Sequence, residues 1–209
     1  AFTGVTIDQG SGHAWEESWR LGRPVTIRAD ADGVTLESAR VEVATGGFVE
    51  GEGRWRQEEL SGHVAWDGIP LTSLAKATGI PGFRGTCRGR VDFTGDAPDI
   101  QGNLEVGIEA RPAGHDNDPA SARAIFKARR ERGGLTTWTG EVIASGLEQP
   151  FNVQIEGQGT SRLGLRPYAA AWSDTDPLRN RITVSGDLGY LVFLTGQDQF
   201  NLKGMLSGA

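Results

Sequence analysis

The chain has 209 residues, 37% hydrophobic and 23% charged, and carries a net charge of −6 at pH 7. This balance is typical of a globular protein and excludes a disordered one. Nucleic-acid binders usually present a basic surface, so we expect no nucleic-acid partner. A single cysteine, Cys87, excludes an internal disulfide framework, and 31 glycines indicate turns and small positions within strands.

The first half of the chain contains short stretches in which every second residue is apolar. These stretches lie at 25–29, 41–43, 60–66 and 91–93. Alternation of this kind predicts strands with one dry and one wet face. Turn signals separate them, at Asp32-Gly33, Gly46-Gly47 and Asp67-Gly68.

The second half repeats the pattern more clearly, beginning with an eleven-residue run at 100–110 and continuing at 122–128, 138–142, 151–155 and 182–190. Consecutive strands of this kind predict an all-β antiparallel meander. Because one slip of register would reverse every side chain, apolar residues in phase should share one face. We therefore predict one groove lined by Ile100, Leu104, Val106, Ile108, Phe151, Val153, Ile155, Ile182, Val184 and Leu188.

Three segments depart from alternation. Residues 70–78, with a glycine stop at Gly79, predict one short helix. Stretches 111–121 and 167–179 are rich in Pro, Asp and Asn, and they predict irregular insertions. We otherwise expect 1–209 to form a single β-rich segment of a longer protein, with any signal or membrane anchor outside it.

No converging set of catalytic groups is visible, so we predict no enzymatic activity, no metal and no cofactor. The three histidines, His13, His63 and His115, lie far apart and lack metal-ligand spacing. Residues 30–33 resemble the start of a calcium loop, but Val41 occupies the position of its essential glutamate, which favours a turn. The basic cluster at 123–132 is interpreted as a solvated strand face rather than as a phosphate-binding patch.

The order of glycines from residue 82 onward carries a family resemblance. The residues concerned are Gly82, Gly85, Gly89, Gly95, Pro98, Gly102 and Leu104. They follow a Gly-Ile-Pro-Leu step at 68–71, and a hairpin-like stretch at 34–55 precedes that step. Residues 185–204 look like the beginning of the next repeat. Together these motifs resemble the TamB family of the translocation and assembly module, best over 25–105.

The resemblance implies a long sheet curled into a taco-like trough with an apolar concave face, as in bridge-like lipid transfer proteins. It implies a periplasmic segment, tethered to the inner membrane from outside this chain, that holds or conducts phospholipid acyl chains between the two membranes. It further implies a partner outer-membrane barrel and a part in outer-membrane protein assembly and secretion. The family offers no catalytic residues to carry over.

Two other functions remain compatible with the sequence. A chaperone-like module could bind strands of outer-membrane proteins by β-augmentation. A β-sandwich could instead bind carbohydrate through some of its six tryptophans, although Trp66 and Trp138 are in phase with apolar strand residues. Alternation alone also leaves open whether the predicted groove is an open trough or a closed core.

Overall fold

The computed structural model describes residues 3–14, 17–57, 59–72, 83–96, 100–112, 121–145, 151–165, 168–172, 178–187 and 205–208. Nearly all of them lie in strands, which confirms the predicted all-β class. The strands are β1 Thr3–Ile7, β2 Ser11–Ala14, β3 Glu17–Leu21, β4 Val25–Asp30, β5 Gly33–Val43, β6 Phe48–Arg56, β7 Glu59–Pro70, β8 Phe83–Asp96, β9 Gln101–Pro112, β10 Ser121–Arg130, β11 Leu135–Ser145, β12 Phe151–Leu165, β13 Tyr168–Trp172, β14 Arg179–Asp187 and β15 Met205–Gly208.

These strands form one sheet in which every pair is antiparallel. Its main order is β1-β4-β5-β6-β7-β8-β9-β10-β11-β12-β14-β15. From β4 to β12 each strand lies beside its neighbour in sequence, as the predicted meander requires. The sheet is not closed into a barrel.

Near each end of the sheet, two short strands pair with successive parts of one long strand. The long strand β5 pairs with β4 over Gly33–Glu37 and with β3 over Val41–Val43. Farther toward this edge of the sheet, β1 pairs with β4 and β2 pairs with β3. At the far end, β12 likewise pairs with β14 through its first half and with β13 through its last five residues.

Turns occur at Asp32-Gly33 and Gly46-Gly47 as predicted, but the turn predicted at Asp67-Gly68 is wrong, because these residues lie within β7 at its register shift. The Asp30 carboxylate accepts hydrogen bonds from the backbone N–H groups of Asp32 and Gly33, at 2.8 and 3.0 Å. This is the arrangement by which aspartate stabilises a tight turn, and it accounts for the acidic residues without a calcium ion. Register shifts also bend the sheet within strands, between Leu36 and Ala39 and between Trp66 and Ile69.

The segments predicted to be irregular lie largely outside the described residues. Of the predicted helix at 70–78, only Leu71 and Thr72 are described as helical, and β7 runs through Pro70. Of the predicted insertion at 111–121, Arg111 and Pro112 belong to β9 and Ser121 to β10, and residues 113–120 lie outside the described residues. Within 167–179, residues 168–172 form β13. The described residues contain no helix long and apolar enough to cross a membrane.

Candidate functional site

Strand register assigns each side chain to one of two faces, because directly paired residues of an antiparallel sheet project to the same side. We call the side that carries Val106 the Val106 face and the opposite side, which carries Lys127, the Lys127 face. The two residues lie on adjacent strands, and Val106 pairs with Phe126, the residue before Lys127.

The Val106 face is crossed by rows of apolar residues and glycines that run from strand to strand. One row is Val106, Phe126, Gly140, Ile155 and Ile182. The next is Ile108, Ala124, Val142, Val153 and Val184. A third is Leu104, Ala128, Trp138 and Gly157. Seven of the ten predicted groove residues lie in these three rows, and Phe151, in the row of Ala110, Ala122 and Ala144, lies on the same face.

The remaining three predicted residues lie outside these three rows. Phe151 pairs with Ala144 at the start of β12, and both are 0% exposed. Ile100 is buried just before β9, and its carbonyl oxygen accepts a hydrogen bond from the Arg130 guanidinium. Leu188 lies outside the described residues.

The same rows extend into strands that the predicted groove did not include. Ile108 pairs with Cys87, which in turn pairs with Ile69. Val106 pairs with Gly89, and this row continues through Trp66 and Val49. The sequence shows alternation around these residues. Trp66 and Ile69 lie an odd number of positions apart, however, and share a face only because of the bulge between them, which alternation alone does not reveal.

Three tryptophans on this face lie against glycines of the neighbouring strand. A Cβ placed on Gly89 would lie closer than 3.0 Å to the Trp66 ring, and one on Gly157 would lie 2.5 Å from the Trp138 ring. Trp19 covers Gly12 in the same way. The Trp66 Nε1–H donates to the Cys87 sulfur at 3.3 Å, and that of Trp138 donates to Asn180 Oδ1 at 3.2 Å. Both indoles are therefore fixed against the sheet.

Exposure varies along the Val106 face. The row that includes Ala144 and Phe151 is buried, as is Cys87. Large apolar side chains of β1, β4, β5 and β6 are exposed instead, namely Val5 (56%), Ile7, Ile27, Val34, Val49 and Trp55 (46%). Exposed apolar area of this kind marks an interaction surface more often than it marks a finished core.

The Lys127 face is charged and ordered by ion pairs between neighbouring strands. Lys127 Nζ lies 3.3 Å from Glu105, Arg181 lies 3.6 Å from Glu156, and Arg20 lies 2.8 Å from Glu42. Within β8, hydrogen bonds from the Arg90 guanidinium hold the pKa of Asp92 below its ordinary value. These exposed pairs favour solubility and each stabilises the sheet little.

A groove of about 750 Å³ crosses strands β7 to β11, bordered mainly by residues of the Lys127 face, and we call it the central groove. Five basic and three acidic side chains border it: Arg88, Arg90, Arg123, Lys127, Arg129, Asp67, Asp92 and Glu105. Of the predicted groove residues, Leu104 alone borders it. It is therefore a second site, distinct from the predicted apolar groove.

The histidines found in the described residues have local partners. His13 Nδ1 lies 3.0 Å from Ser18 Oγ, and His63 Nδ1 lies 3.4 Å from Glu52 on the Lys127 face. His115 lies outside the described residues. No three His, Cys, Asp or Glu residues among the described ones are placed to hold a metal ion together.

Comparison with known proteins adds no relative. No protein-family model matches the chain, and neither the curated proteins nor the solved structures yielded a match.

Proposed function

We propose that this chain is a non-enzymatic segment of a TamB-like envelope-biogenesis protein, whose Val106 face holds or conducts phospholipid acyl chains across the periplasm. In this proposal the longer protein is tethered to the inner membrane, works with an outer-membrane barrel partner and supports outer-membrane protein assembly. The assignment to a TamB-like protein rests on the sequence motifs at 60–104. One structural observation carries the biochemical part: the apolar rows are continuous from strand to strand.

The length of these rows suits an acyl chain. The row through Val106 passes from Val49 on β6 to Ile182 on β14, across eight neighbouring strands. At ~4.8 Å between strands this is about 34 Å. An acyl chain spans one leaflet, which is half of a ~30 Å hydrocarbon core, so the row is longer than one tail. A tail gains ~0.8 kcal/mol for each CH₂ removed from water, so an unbroken apolar row matters.

Glycines on the Val106 face support curvature toward that face. A Cβ on Gly62 would lie closer than 3.0 Å to the Glu52 carbonyl oxygen, and one on Gly102 would lie equally close to that of Asp92. A Cβ there would point toward the Val106 face, so this close approach is what a neighbouring strand bent toward that face would give. Repeated along the sheet, such bends would produce a trough, to which the exposed residues of β1, β4, β5 and β6 would leave access.

Substitutions on the two faces of the sheet test this function. We expect phospholipid to co-purify with the chain and to be seen by native mass spectrometry. Val106→Glu and Val153→Glu should abolish that lipid while leaving the sheet folded, because in a trough the charge can reach water. The matched control is Thr139→Glu, which places the same charge on the Lys127 face beside Lys127. If both valine variants unfold and no lipid is found on the parent chain, the Val106 face is a closed core and not a lipid groove.

A second candidate function rests on the outer edge of the sheet. Among the described strands β1 pairs with β4 alone, all five of its residues are exposed, and it contains no charge or proline. Such an edge lacks the usual protection against strand addition. A strand of an unfolded outer-membrane protein could pair there by β-augmentation. The carbohydrate-binding sandwich is less well supported, because the described strands form one sheet and three tryptophans lie against glycines.

A further inference from the structure

The central groove contains two arginines that differ from the basic residues around them. Arg90 is paired with Asp92, Lys127 with Glu105 and Arg129 with Glu131. Within the described part of the chain, no carboxylate lies within ion-pairing distance of Arg88 or Arg123. Two guanidinium groups therefore border one groove without a carboxylate at ion-pairing distance.

The glycine opposite Arg88 lets its side chain reach across the neighbouring strand. Arg88 on β8 pairs with Gly107 on β9, and Gly107 pairs with Ile125 on β10. The position of a Cβ on Gly107 lies 3.2 Å from Arg88 Nε and 3.3 Å from Arg88 Cγ. The arginine thus lies over the bare backbone of β9, directed toward the strand that carries Arg123.

Arg123 is not ion-paired with its own cross-strand carboxylate. It stands opposite Glu109 in register, yet their charged groups form no ion pair. Arg88 and Arg123 both border the central groove and also a small depression beside it, together with Gly107, Asp67 and Glu109. The two side chains therefore border the same concave surface.

We infer that Arg88 and Arg123 form a binding site for a phosphate group on the Lys127 face, with the rest of the ligand lying in the central groove. Guanidinium groups bind phosphate with paired, charge-assisted hydrogen bonds, and two of them can share its oxygens. A volume of about 750 Å³ is that of a small-molecule site. Ile125, Thr137 and Thr139 supply an apolar and hydroxyl-bearing wall for the ligand's body. The carboxylates of Asp67 and Glu109 limit the affinity, so inorganic phosphate alone should bind in the millimolar range.

The test is a titration of inorganic phosphate at constant ionic strength, followed through the arginine Nε–H signals in ¹H–¹⁵N spectra. The Arg88 and Arg123 signals should shift saturably. Arg88→Gln and Arg123→Gln should each weaken binding about tenfold or more, since each removes a charged hydrogen-bond donor. Arg90→Gln is the matched control, because Arg90 borders the same groove but is engaged by Asp92. Linear shifts of all arginines alike, or equal weakening by Arg90→Gln, would mean non-specific screening and overturn the site.

Two further titrations identify the source of the phosphate. Glycerol 3-phosphate tests a soluble ligand, and vesicles of phosphatidylglycerol in phosphatidylcholine test a lipid headgroup. Saturable binding that Arg88→Gln and Arg123→Gln weaken supports the site with either probe and names its source, whereas binding of neither probe overturns the assignment to a phosphate-bearing ligand. The inference is independent of the proposed lipid groove, because Val106→Glu changes the opposite face and should leave phosphate binding intact.

Discussion

Gly53 and Gly62 are directly paired across β6 and β7, yet only Gly62 is closed to a side chain. A Cβ on Gly62 would lie closer than 3.0 Å to the Glu52 carbonyl oxygen and 3.1 Å from the Phe93 ring. A Cβ on Gly53 would come no nearer than 3.6 Å, to the Ser61 carbonyl oxygen. Within this cross-strand pair, Gly53 therefore has room for a side chain, whereas Gly62 has none.

Alanine at these two positions should have opposite effects. Gly62→Ala should lower the free energy of unfolding by about 1–3 kcal/mol, because the neighbouring backbone must shift to admit the methyl group. Gly53→Ala should leave it unchanged or raise it by up to ~1 kcal/mol, because alanine restricts the unfolded chain. Urea denaturation of both variants measures this. Equal losses would show that close approach of the strands at Gly62 is not needed.

Trp66 should protect Cys87 from the solvent. Its indole N–H donates to the Cys87 sulfur, and the cysteine is only 5% exposed. We expect Trp66→Ala to cost about 2–3 kcal/mol of stability and to accelerate reaction of Cys87 with a thiol reagent. Trp55→Ala removes a more exposed indole from the same face and should change neither quantity much. Unchanged labelling of Cys87 in Trp66→Ala would exclude this protective role.

The sheet and the shared face of its apolar residues could be predicted from the sequence because both follow from a period of two. Once Val106, Val153 and Val184 are each in phase with apolar neighbours, burial permits one register and one face. The antiparallel order follows because short turns join consecutive strands. The sequence therefore carried enough information for the antiparallel sheet and for the side of it on which eight of the predicted groove residues lie.

Features that depend on register between distant residues could not be predicted in this way. Nothing local places Gly89 beneath the Trp66 indole, since the two lie on different strands. The charged cluster at 123–132 was interpreted as one solvated face, but Arg130 projects to the side opposite Arg129 and is half-buried. The central groove likewise depends on Gly107 lying opposite Arg88, which periodicity does not reveal.

Acid should weaken one ion pair of the Lys127 face in a defined direction. The Arg90 guanidinium lies 2.6 Å from the Asp92 carboxylate, and its hydrogen bonds lower the pKa of Asp92. Because this pKa is lower in the folded than in the unfolded state, the pair's contribution is present at neutral pH. It is lost as the pH falls through the folded-state pKa.

Removing the guanidinium tests this coupling. Arg90→Gln should raise the pKa of Asp92 toward its ordinary value, measured by ¹³C titration of the side-chain carboxyl. Arg56→Gln, at an exposed arginine at the end of β6, should leave that titration unchanged. An Asp92 titration that is the same in Arg90→Gln as in the parent chain would contradict the assignment of the shift to Arg90.

Arg130 should be the arginine whose loss most destabilises the sheet. Its guanidinium donates to the Ile100 carbonyl oxygen, to Ser161 Oγ at 3.0 Å and to the Ser161 carbonyl oxygen at 3.1 Å. It thereby joins the start of β9, the end of β10 and the later part of β12. Arg130→Gln should lower the free energy of unfolding by about 2–3 kcal/mol, because half-buried carbonyl groups lose charged donors. Arg129→Gln, one residue away, removes an exposed pair with Glu131 and should cost under ~1 kcal/mol. Urea denaturation separates the two variants, and hydrogen exchange should show a loss of protection in Arg130→Gln at the Ser161 N–H, which donates to the Gly134 carbonyl oxygen at 2.8 Å. Similar stabilities for both variants would mean that Arg130 only covers the end of the sheet.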